Sequence, residues 1–175
     1  MNEATHRIFF ALWPDDGLRQ QLKEILSPLL KKHPARRVPV HNWHITLAFL
    51  GNVSPENYAC AQQRANDVKG SAFALSLDQF GFWPKPRVVW LGCTEVPEPL
   101  NNLVGLLNSV LHACAYTPER RAYAPHMTIL RKATQGLDAA AIKPIGWRVT
   151  EFVLVESVTS KTGSVYEVIK RWPLG

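Results

Sequence analysis

Two short segments of the chain share one pattern of chemically capable residues, a histidine and a threonine separated by a single apolar residue. His44 and Thr46 form the first copy, and His126 and Thr128 form the second. Because side chains alternate faces along a strand, each His and its Thr would project to one side while the apolar residues enter a core. With 6 His and 9 Thr in 175 residues, chance predicts roughly 0.3 such triplets. The two copies therefore predict one active site built by two matching halves.

A pair of histidines on two such strands suits the hydrolysis of a phosphodiester. The reaction needs a base that takes a proton from water and an acid that protonates the departing oxygen, on opposite sides of phosphorus. Histidine titrates near pH 6.5, so one imidazole can be neutral while the other is charged. The threonine hydroxyls, about two strand residues (~6.6 Å) along, can donate to the non-bridging phosphate oxygens. No Asp or Glu lies in or directly beside either motif, which favours chemistry without a metal ion. We expect no cofactor.

The length and composition of the chain fit a globular protein that is not embedded in a membrane. The 175 residues, 46% of them hydrophobic and 19% charged, predict a single domain over 1–175 that can contain two small lobes. The longest apolar run near the N-terminus, 8–13, is interrupted by Pro14 and is too short for a signal-peptide core or a membrane span. We therefore expect a cytoplasmic protein without membrane association, and a monomer.

The cysteines and the net charge limit which metals and macromolecules the protein is expected to bind. Cys60, Cys93 and Cys114 are scattered, odd in number and lack a Cys-x-x-Cys spacing, so they predict buried thiols rather than a disulfide framework or a zinc site. The net charge of +6 is compatible with a polyanion such as RNA, and it is also compatible with mere solubility. The basic residues are dispersed, with no long charged helix, which disfavours sequence-specific binding of DNA.

Hydrophobic periodicity and turn residues predict a mixture of helices and short strands. The helices are predicted at about 14–32, 55–68 and 99–115. The strands are predicted at 7–13, 44–51, 73–80, 87–92, from 126 onward, at 149–157 and at 164–172, with a hairpin joining 73–80 to 87–92. The segment 136–146 looks irregular, with at most one helical turn.

This order of elements predicts an α+β fold with two mainly antiparallel sheets flanked by helices. The two motifs lie 82 residues apart, which is too long an offset and too few copies for a repeat array. A bilobal fold with approximate two-fold symmetry and a central cleft fits the spacing better. The sequence contains no Gly-x-Gly-x-x-Gly, Walker A or His-Glu-x-x-His motif.

Four stretches of the chain resemble a known family. The segments 44–51 (HITLAFLG) and 126–131 (HMTILR) are similar to the paired His-x-Thr-x motifs of the two-histidine (2H) phosphoesterases. The opening 7–12 (RIFFAL) and the segment 87–92 (RVVWLG) resemble the bacterial RNA 2′,3′-cyclic phosphodiesterase branch, historically called 2′-5′ RNA ligase. The resemblance spans nearly the whole chain.

The resemblance implies a function and a role for each site residue. It implies hydrolysis of a terminal 2′,3′-cyclic phosphate of RNA to a 2′-phosphate, with reversible, ATP-independent 2′-5′ joining of tRNA halves as a side activity. His44 would be the proton donor and His126 the proton acceptor, although the nearly identical motifs leave the reverse assignment open. Thr46 and Thr128 would bind phosphate. Arg131 would help to hold the phosphate and Phe10 the terminal base.

Two expectations about the site depend on details of the strands. Arg131 follows His126 by five residues, an odd offset that would point it away from the catalytic face of a regular strand, so we expect it just past the strand end. Three aromatic residues beside basic ones can stack on nucleobases, although packing in a core or loop explains each of them better: Trp43, Phe82 and Trp83.

Two other functions remain open from the sequence. The enzyme could act on 2′-5′-linked oligonucleotides or on another small cyclic phosphate, which a substrate panel distinguishes. Alternatively, the chain could be a non-catalytic RNA-binding protein or tRNA-joining factor whose histidines only bind phosphate. In that case, replacing a histidine would weaken binding without any bond cleavage being seen.

Overall fold

The computed structural model describes residues 4–137 and 142–175. Its three α-helices are α1 (Asp16–Leu30), α2 (Pro55–Ala65) and α3 (Glu98–Leu111), with 3₁₀ turns at Val40–Asn42 and His112–Cys114. The strands among the described residues are β1 (His6–Leu12), β2 (Arg36–Arg37), β3 (Ile45–Val53), β4 (Phe73–Leu77), β5 (Gln79–Trp83), β6 (Val88–Gly92), β7 (His126–Arg131), β8 (Ile145–Val149), β9 (Glu151–Ser160) and β10 (Gly163–Pro173).

Two four-stranded sheets dominate the fold. One sheet has the strand order β10-β9-β1-β3, and the other has the order β2-β7-β6-β5. Strands β4 and β8 form a small third sheet. All of these strand pairs are antiparallel. The first histidine motif leads into β3 and the second begins β7, so each large sheet carries one copy. The prediction of an α+β fold with antiparallel sheets is confirmed.

Helices α1 and α2 begin where side chains cap them, and all three helices end slightly earlier than predicted. The Asp15 carboxylate accepts a hydrogen bond from the Leu18 amide (2.8 Å), and the Ser54 hydroxyl accepts one from the Asn57 amide (3.2 Å). Helix α1 buries a leucine every fourth residue and stops at Leu30 rather than at 32. Helix α2 stops at 65 rather than 68. Helix α3 stops at 111, and a 3₁₀ turn then ends before a left-handed residue at 115.

Two predicted strands are each divided in the structure. The predicted strand 73–80 is two strands, because β4 pairs with β8 whereas β5 pairs with β6. The break falls at Asp78, whose carboxylate accepts hydrogen bonds from the amide (2.7 Å) and the hydroxyl (2.9 Å) of Thr94. The predicted strand 149–157 is likewise β8 followed by β9, with the break at Thr150. The predicted hairpin is therefore formed by β5 and β6 alone.

The segment predicted to be irregular, 136–146, falls partly outside the described residues, which exclude 138–141. Its last two positions, 145 and 146, begin β8 and are therefore not irregular.

The described residues contain no helix that is long and apolar enough to cross a membrane.

The prediction that all three cysteines are free thiols is wrong for two of them. Cys60 on α2 and Cys114 after α3 form a disulfide across Cα atoms 5.6 Å apart. Helices α2 and α3 pack against each other, which brings together two residues separated by 54 positions in sequence. Cys93 is free and buried, as predicted. Cysteine spacing alone did not reveal this pair because the contact depends on how the helices pack.

Candidate active site

The two histidine motifs meet in one cleft. A cavity of about 470 Å³ is lined by residues of both large sheets, including His44, Thr46, His126 and Thr128. All four residues that the sequence placed together are thus brought together by the fold. Other parts of the wall come from β1, the segment 36–39 beside β7, the β5–β6 hairpin, and the turn between β9 and β10.

The first histidine is held by main-chain and hydroxyl contacts. The Nδ1 atom of His44 lies 2.7 Å from the carbonyl oxygen of Asn42, and its Nε2 atom lies 3.1 Å from the Thr46 hydroxyl oxygen. A carbonyl can only accept, so Nδ1 carries the proton of the neutral ring and Nε2 accepts from the hydroxyl. The motif therefore fixes the tautomer of His44 and leaves Nε2 as its reactive nitrogen.

Aromatic rings enclose His44. Phe9 lies 4.8 Å, Tyr166 5.4 Å and Trp13 5.6 Å from the imidazole, measured between ring centroids. Burial lowers the pKa of His44 to about 4, partly opposed by its hydrogen bond to the Asn42 carbonyl, and the charges of Arg19 and Arg131 lower it further. His44 is therefore neutral near pH 7 in this environment.

The second histidine has matching connections. The Nδ1 atom of His126 lies 2.9 Å from the carbonyl oxygen of Ala124, two residues earlier, as in the first motif. Its ring packs edge-on against Trp83 (4.5 Å) and Trp90 (6.4 Å). Burial lowers its pKa, the hydrogen bond to the Ala124 carbonyl raises it, and the nearby Arg131 charge lowers it. Both histidines thus offer Nε2 as the nitrogen not bound to the main chain.

Matching β-bulges shape the two motif strands. In β3, Thr46 and Ala48 face consecutive residues of β1, so Leu47 has no partner. In β7, Thr128 and Leu130 face consecutive residues of β6, so Ile129 has no partner. Each bulge lies three positions after the histidine and shifts the alternation of side chains by one residue. Positions five after each histidine therefore return to the cleft side of the strand.

The bulge corrects the sequence argument about Arg131. This residue is the last residue of β7 rather than a residue beyond its end. Its side chain is exposed and lines the cleft, since the unpaired Ile129 offsets the odd spacing. Phe49 holds the equivalent position in β3, is 48% exposed and lines the same cleft. The sequence analysis missed Phe49, although its offset of five from His44 repeats that of Arg131.

The proposed contact between Phe10 and the terminal base is wrong. Phe10 is 0% exposed and packs in the core against Phe152 (6.3 Å) and Trp172 (5.7 Å). Its neighbour Phe9 instead lines the cleft beside His44. The run of apolar residues in β1 carries no alternation that would distinguish the two faces.

The three other aromatic candidates lie in different environments. Trp83 lines the cleft. Trp43 is 2% exposed in the core, and its indole Nε1 donates to the carbonyl of Val38 (3.1 Å). Phe82 is partly buried and packs against the hydrophobic core. Trp83 is therefore the only one of the three that is placed to contact a ligand in this cleft.

A tyrosine connects the two motifs and was missed by the sequence analysis. The Tyr123 hydroxyl donates to the main-chain carbonyl of Thr46 (2.9 Å). Burial raises the pKa of Tyr123, so the hydroxyl stays protonated and remains a donor. The segment that leads into His126 is thereby attached to the strand that carries Thr46.

Charged groups at the cleft are basic. Arg7, Arg36, Arg37 and Arg131 line it, and the described residues that line it include neither Asp nor Glu. Within 4–137 and 142–175, no three His, Cys, Asp or Glu side chains are grouped to hold a metal ion. The arrangement offers two imidazoles, two hydroxyls and several guanidinium groups, which is a set of groups suited to a phosphate ester.

Comparison with known proteins defines the class. The model of the 2′-5′ RNA ligase superfamily matches residues 14–161, so the chain belongs to this superfamily. The family resemblance seen in the sequence, to the 2H phosphoesterases, is thereby confirmed, as is the prediction that the protein is a hydrolase.

Particular relatives cover the whole chain. It is 34% identical over 172 residues to the RNA 2′,3′-cyclic phosphodiesterase of Escherichia coli, covering 96% of each chain. It is 31% identical to the Archaeoglobus fulgidus protein of the same name, covering 94% of this chain and 98% of the relative. The crystal structure of E. coli LigT complexed with 3′-AMP superposes with a TM-score of 0.86 at 33% identity, covering 98% and 99% of the two chains.

Proposed function

We propose that the protein hydrolyses the terminal 2′,3′-cyclic phosphate of RNA to a 2′-phosphomonoester, using His44 and His126 as its acid–base pair. The observation that carries the proposal is the matched placement of the two rings. Each has Nδ1 bonded to the carbonyl two residues earlier, and each lines one cleft from its own sheet. Two imidazoles on opposite walls suit in-line displacement at phosphorus.

The proposed reaction breaks one bond and forms another. His126 takes a proton from water as the water oxygen bonds to phosphorus. The bond between phosphorus and O3′ breaks, and His44 gives its proton to O3′. The product has a 2′-phosphate and a 3′-hydroxyl. Thr46, Thr128 and Arg131 would stabilise the charge that develops on the non-bridging oxygens.

The electrostatics of the cleft bear on the assignment of roles. Burial lowers the pKa of His44, the proposed donor, to about 4, so the protein groups alone leave it without the proton that it must give. A bound phosphate anion favours the charged imidazole, so we propose that His44 takes up its proton together with the substrate. The reverse assignment, with His126 as donor, is the alternative. Burial lowers the pKa of His126 as well, so its direction of shift does not decide between them.

RNA is the proposed substrate class. The relatives in E. coli and A. fulgidus are named for an RNA cyclic phosphate, and a related structure contains 3′-AMP. In this chain, Phe49 and Trp83 offer aromatic surface at the cleft for a base, and arginines offer positive charge for the backbone. Because an acid–base pair works in both directions, the same site would support 2′-5′ joining of tRNA halves as a side reaction. DNA lacks the 2′-hydroxyl needed to form the cyclic phosphate.

The test uses a short RNA that ends in a 2′,3′-cyclic phosphate, with chelator present. Wild type should produce the 2′-phosphate, and the His44→Ala and His126→Ala variants should each lose about 10²-fold or more in rate. His112→Ala is the matched control, since His112 is exposed and lies after α3. The proposal fails if wild type does not turn over this RNA, or if both variants retain activity. Adding 2′-5′-linked oligonucleotides to the panel tests the alternative substrate.

Further proposals concern the organisation and location of the chain. We propose that residues 1–175 form a single domain of two lobes and act as a monomer. One core cluster draws residues from both large sheets, so we expect one cooperative unfolding transition.

The proposed location is the cytoplasm, where tRNA halves would be available. The Cys60–Cys114 disulfide argues against it, because disulfides are rare in reducing compartments. Rapid alkylation of cells followed by mass spectrometry would show whether these thiols are oxidised in place.

A further inference from the structure

An arginine at the edge of the cleft stands opposite another arginine. Arg36 lies on β2, the edge strand beside β7, and is directly opposite Arg131 in the strand pair. Like charges directly opposite each other on antiparallel strands destabilise the pair. Both side chains are exposed and line the cleft. An anion between or beside them would remove this repulsion.

The protein itself supplies no such anion in the part of the chain that the structure describes. The ion pairs found there are His6–Glu156, Glu119–Arg121 and Glu151–Arg171. None of them involves an arginine of the cleft. The positive charge around Arg36 is therefore left for a ligand.

The turn between β9 and β10 stands against the Arg36 side chain. Gly163 in this turn has a φ of +125°, and a Cβ built on it would lie 3.6 Å from Nη2 of Arg36. Thr162 and Ser164, on either side of the glycine, also line the cleft. The turn therefore brings backbone and two hydroxyl-bearing residues beside the guanidinium. Such a setting can accommodate a phosphate, which accepts hydrogen bonds from both kinds of donor.

Arg36 and Arg131 lie on neighbouring strands at the cleft. Arg131 is close enough to both catalytic histidines for its charge to lower the pKa of each. It therefore serves the reacting phosphate, whereas Arg36 lies one strand further from His126. The adjacent Arg37 also lines the cleft, but it stands opposite Leu130 and its Nη2 already donates to the carbonyl of Leu30 (3.4 Å).

We propose that Arg36, with the turn at 162–164, forms a second phosphate subsite that binds the phosphate on O5′ of the terminal nucleotide. This inference rests on the proposed phosphodiesterase function. A cyclic phosphate at the end of an RNA strand has such a second phosphate, and a nucleoside 2′,3′-cyclic phosphate does not. The subsite thus makes the cleft selective for the end of an oligonucleotide.

The test compares three substrates that differ only at O5′. They are adenosine 2′,3′-cyclic phosphate, the same compound with a 5′-phosphate, and the dinucleotide ApA with a terminal 2′,3′-cyclic phosphate. Comparing the 5′-phosphorylated compound with the dinucleotide shows whether the subsite prefers a terminal phosphate monoester or an internucleotide diester. Each is assayed for kcat/KM with wild type, Arg36→Gln and Arg36→Lys. Arg148→Gln is the control, since Arg148 is an exposed arginine on β8 and does not line the cleft.

Wild type should prefer the dinucleotide or the 5′-phosphorylated compound by about 10-fold or more, which is the effect of one charge-assisted contact. Arg36→Gln should abolish the preference, because kcat/KM should fall by about 10-fold or more for the two substrates that carry a phosphate on O5′ and by much less for the unphosphorylated compound. Arg36→Lys should retain part of the preference, and Arg148→Gln all of it. The inference is overturned if wild type shows no preference, or if Arg36→Gln slows all three substrates equally.

Failure of the proposed function gives a different result. If wild type turns over none of the cyclic phosphates, binding of adenosine 2′-phosphate and adenosine 2′,5′-bisphosphate is measured by calorimetry. Tighter binding of the bisphosphate that is lost in Arg36→Gln supports the subsite without any turnover. Equal binding of the two ligands by wild type overturns it.

Discussion

Acidification should destabilise this protein through His44. Burial among aromatic rings lowers the pKa of this imidazole from 6.5 to about 4 in the folded protein. In the unfolded chain the ring is hydrated and takes up a proton near pH 6.5. A lowered folded-state pKa means that the contribution to stability is fully present above about pH 6.5. It is lost as the pH falls from there through the folded-state pKa.

The size of the effect follows from the difference between the two pKa values. Each pH unit below 6.5 removes about 1.4 kcal/mol from the free energy of unfolding until the pH nears the folded-state pKa. The loss amounts to about 2 kcal/mol at pH 5 and about 3 kcal/mol at pH 4. One side of the ring faces the cleft, where solvent stabilises the charge, so these values are upper bounds.

The assay is urea unfolding followed by tryptophan fluorescence, at several pH values between about 5 and 7.5. Other groups also titrate in this range, so the informative quantity is the difference between wild type and His44→Gln, which does not titrate. Wild type should lose up to about 2 kcal/mol more than His44→Gln on going to pH 5. His112→Gln removes an exposed histidine and should follow wild type. Parallel pH dependence of wild type and His44→Gln would refute the argument.

A bound anion should reverse the effect. Phosphate between the two histidines favours their charged forms, so inorganic phosphate should stabilise wild type more at about pH 5.5 than at pH 7.5. His44→Gln should lose much of this pH-dependent gain. Phosphate stabilisation that is the same at both pH values would contradict the proposal that His44 takes up its proton with the ligand.

Three further predictions concern the fold around the site. Replacing Cys60 and Cys114 by serine should lower the free energy of unfolding by about 4 kcal/mol for a link spanning 54 positions, and reductant should have this effect on wild type but not on the variant. Tyr123→Phe leaves the Thr46 carbonyl on β3 without its donor, so the free energy of unfolding in urea should fall by about 1 kcal/mol and kcat should also fall. Unchanged values of both quantities would show that this hydrogen bond is dispensable. Gly81→Ala would place a Cβ 1.9 Å from the indole of Trp90, and it should cost about 1–3 kcal/mol in thermal unfolding, whereas a neutral result would mean that the indole moves freely.

Local sequence patterns predicted much of the fold. The helix starts were readable because Asp15 and Ser54 cap the first turns through side chains that lie next to them in sequence. The antiparallel α+β class followed from the order of short strands and helices. The split of 73–80 at Asp78 was not readable, because β4 and β5 keep similar local propensities while pairing with different partners. Pairing is a property of the whole sheet.

The site shows the same division between local and tertiary information. The repeated His-x-Thr spacing by itself identified four residues that line one cleft, because alternation along a strand is a local property. The positions of Arg131 and Phe49 depend on bulges, which exist only relative to a partner strand.

The sequence alone therefore determined which residue types could act together, through short-range rules of strand alternation, helix capping and hydrophobic periodicity. Only the tertiary structure decided that Phe9 rather than Phe10 reaches the cleft, and that Cys60 meets Cys114. It also placed Arg36 opposite Arg131. These outcomes depend on which face of a sheet is covered, and on which distant segments pack together, and no short stretch of sequence contains that information.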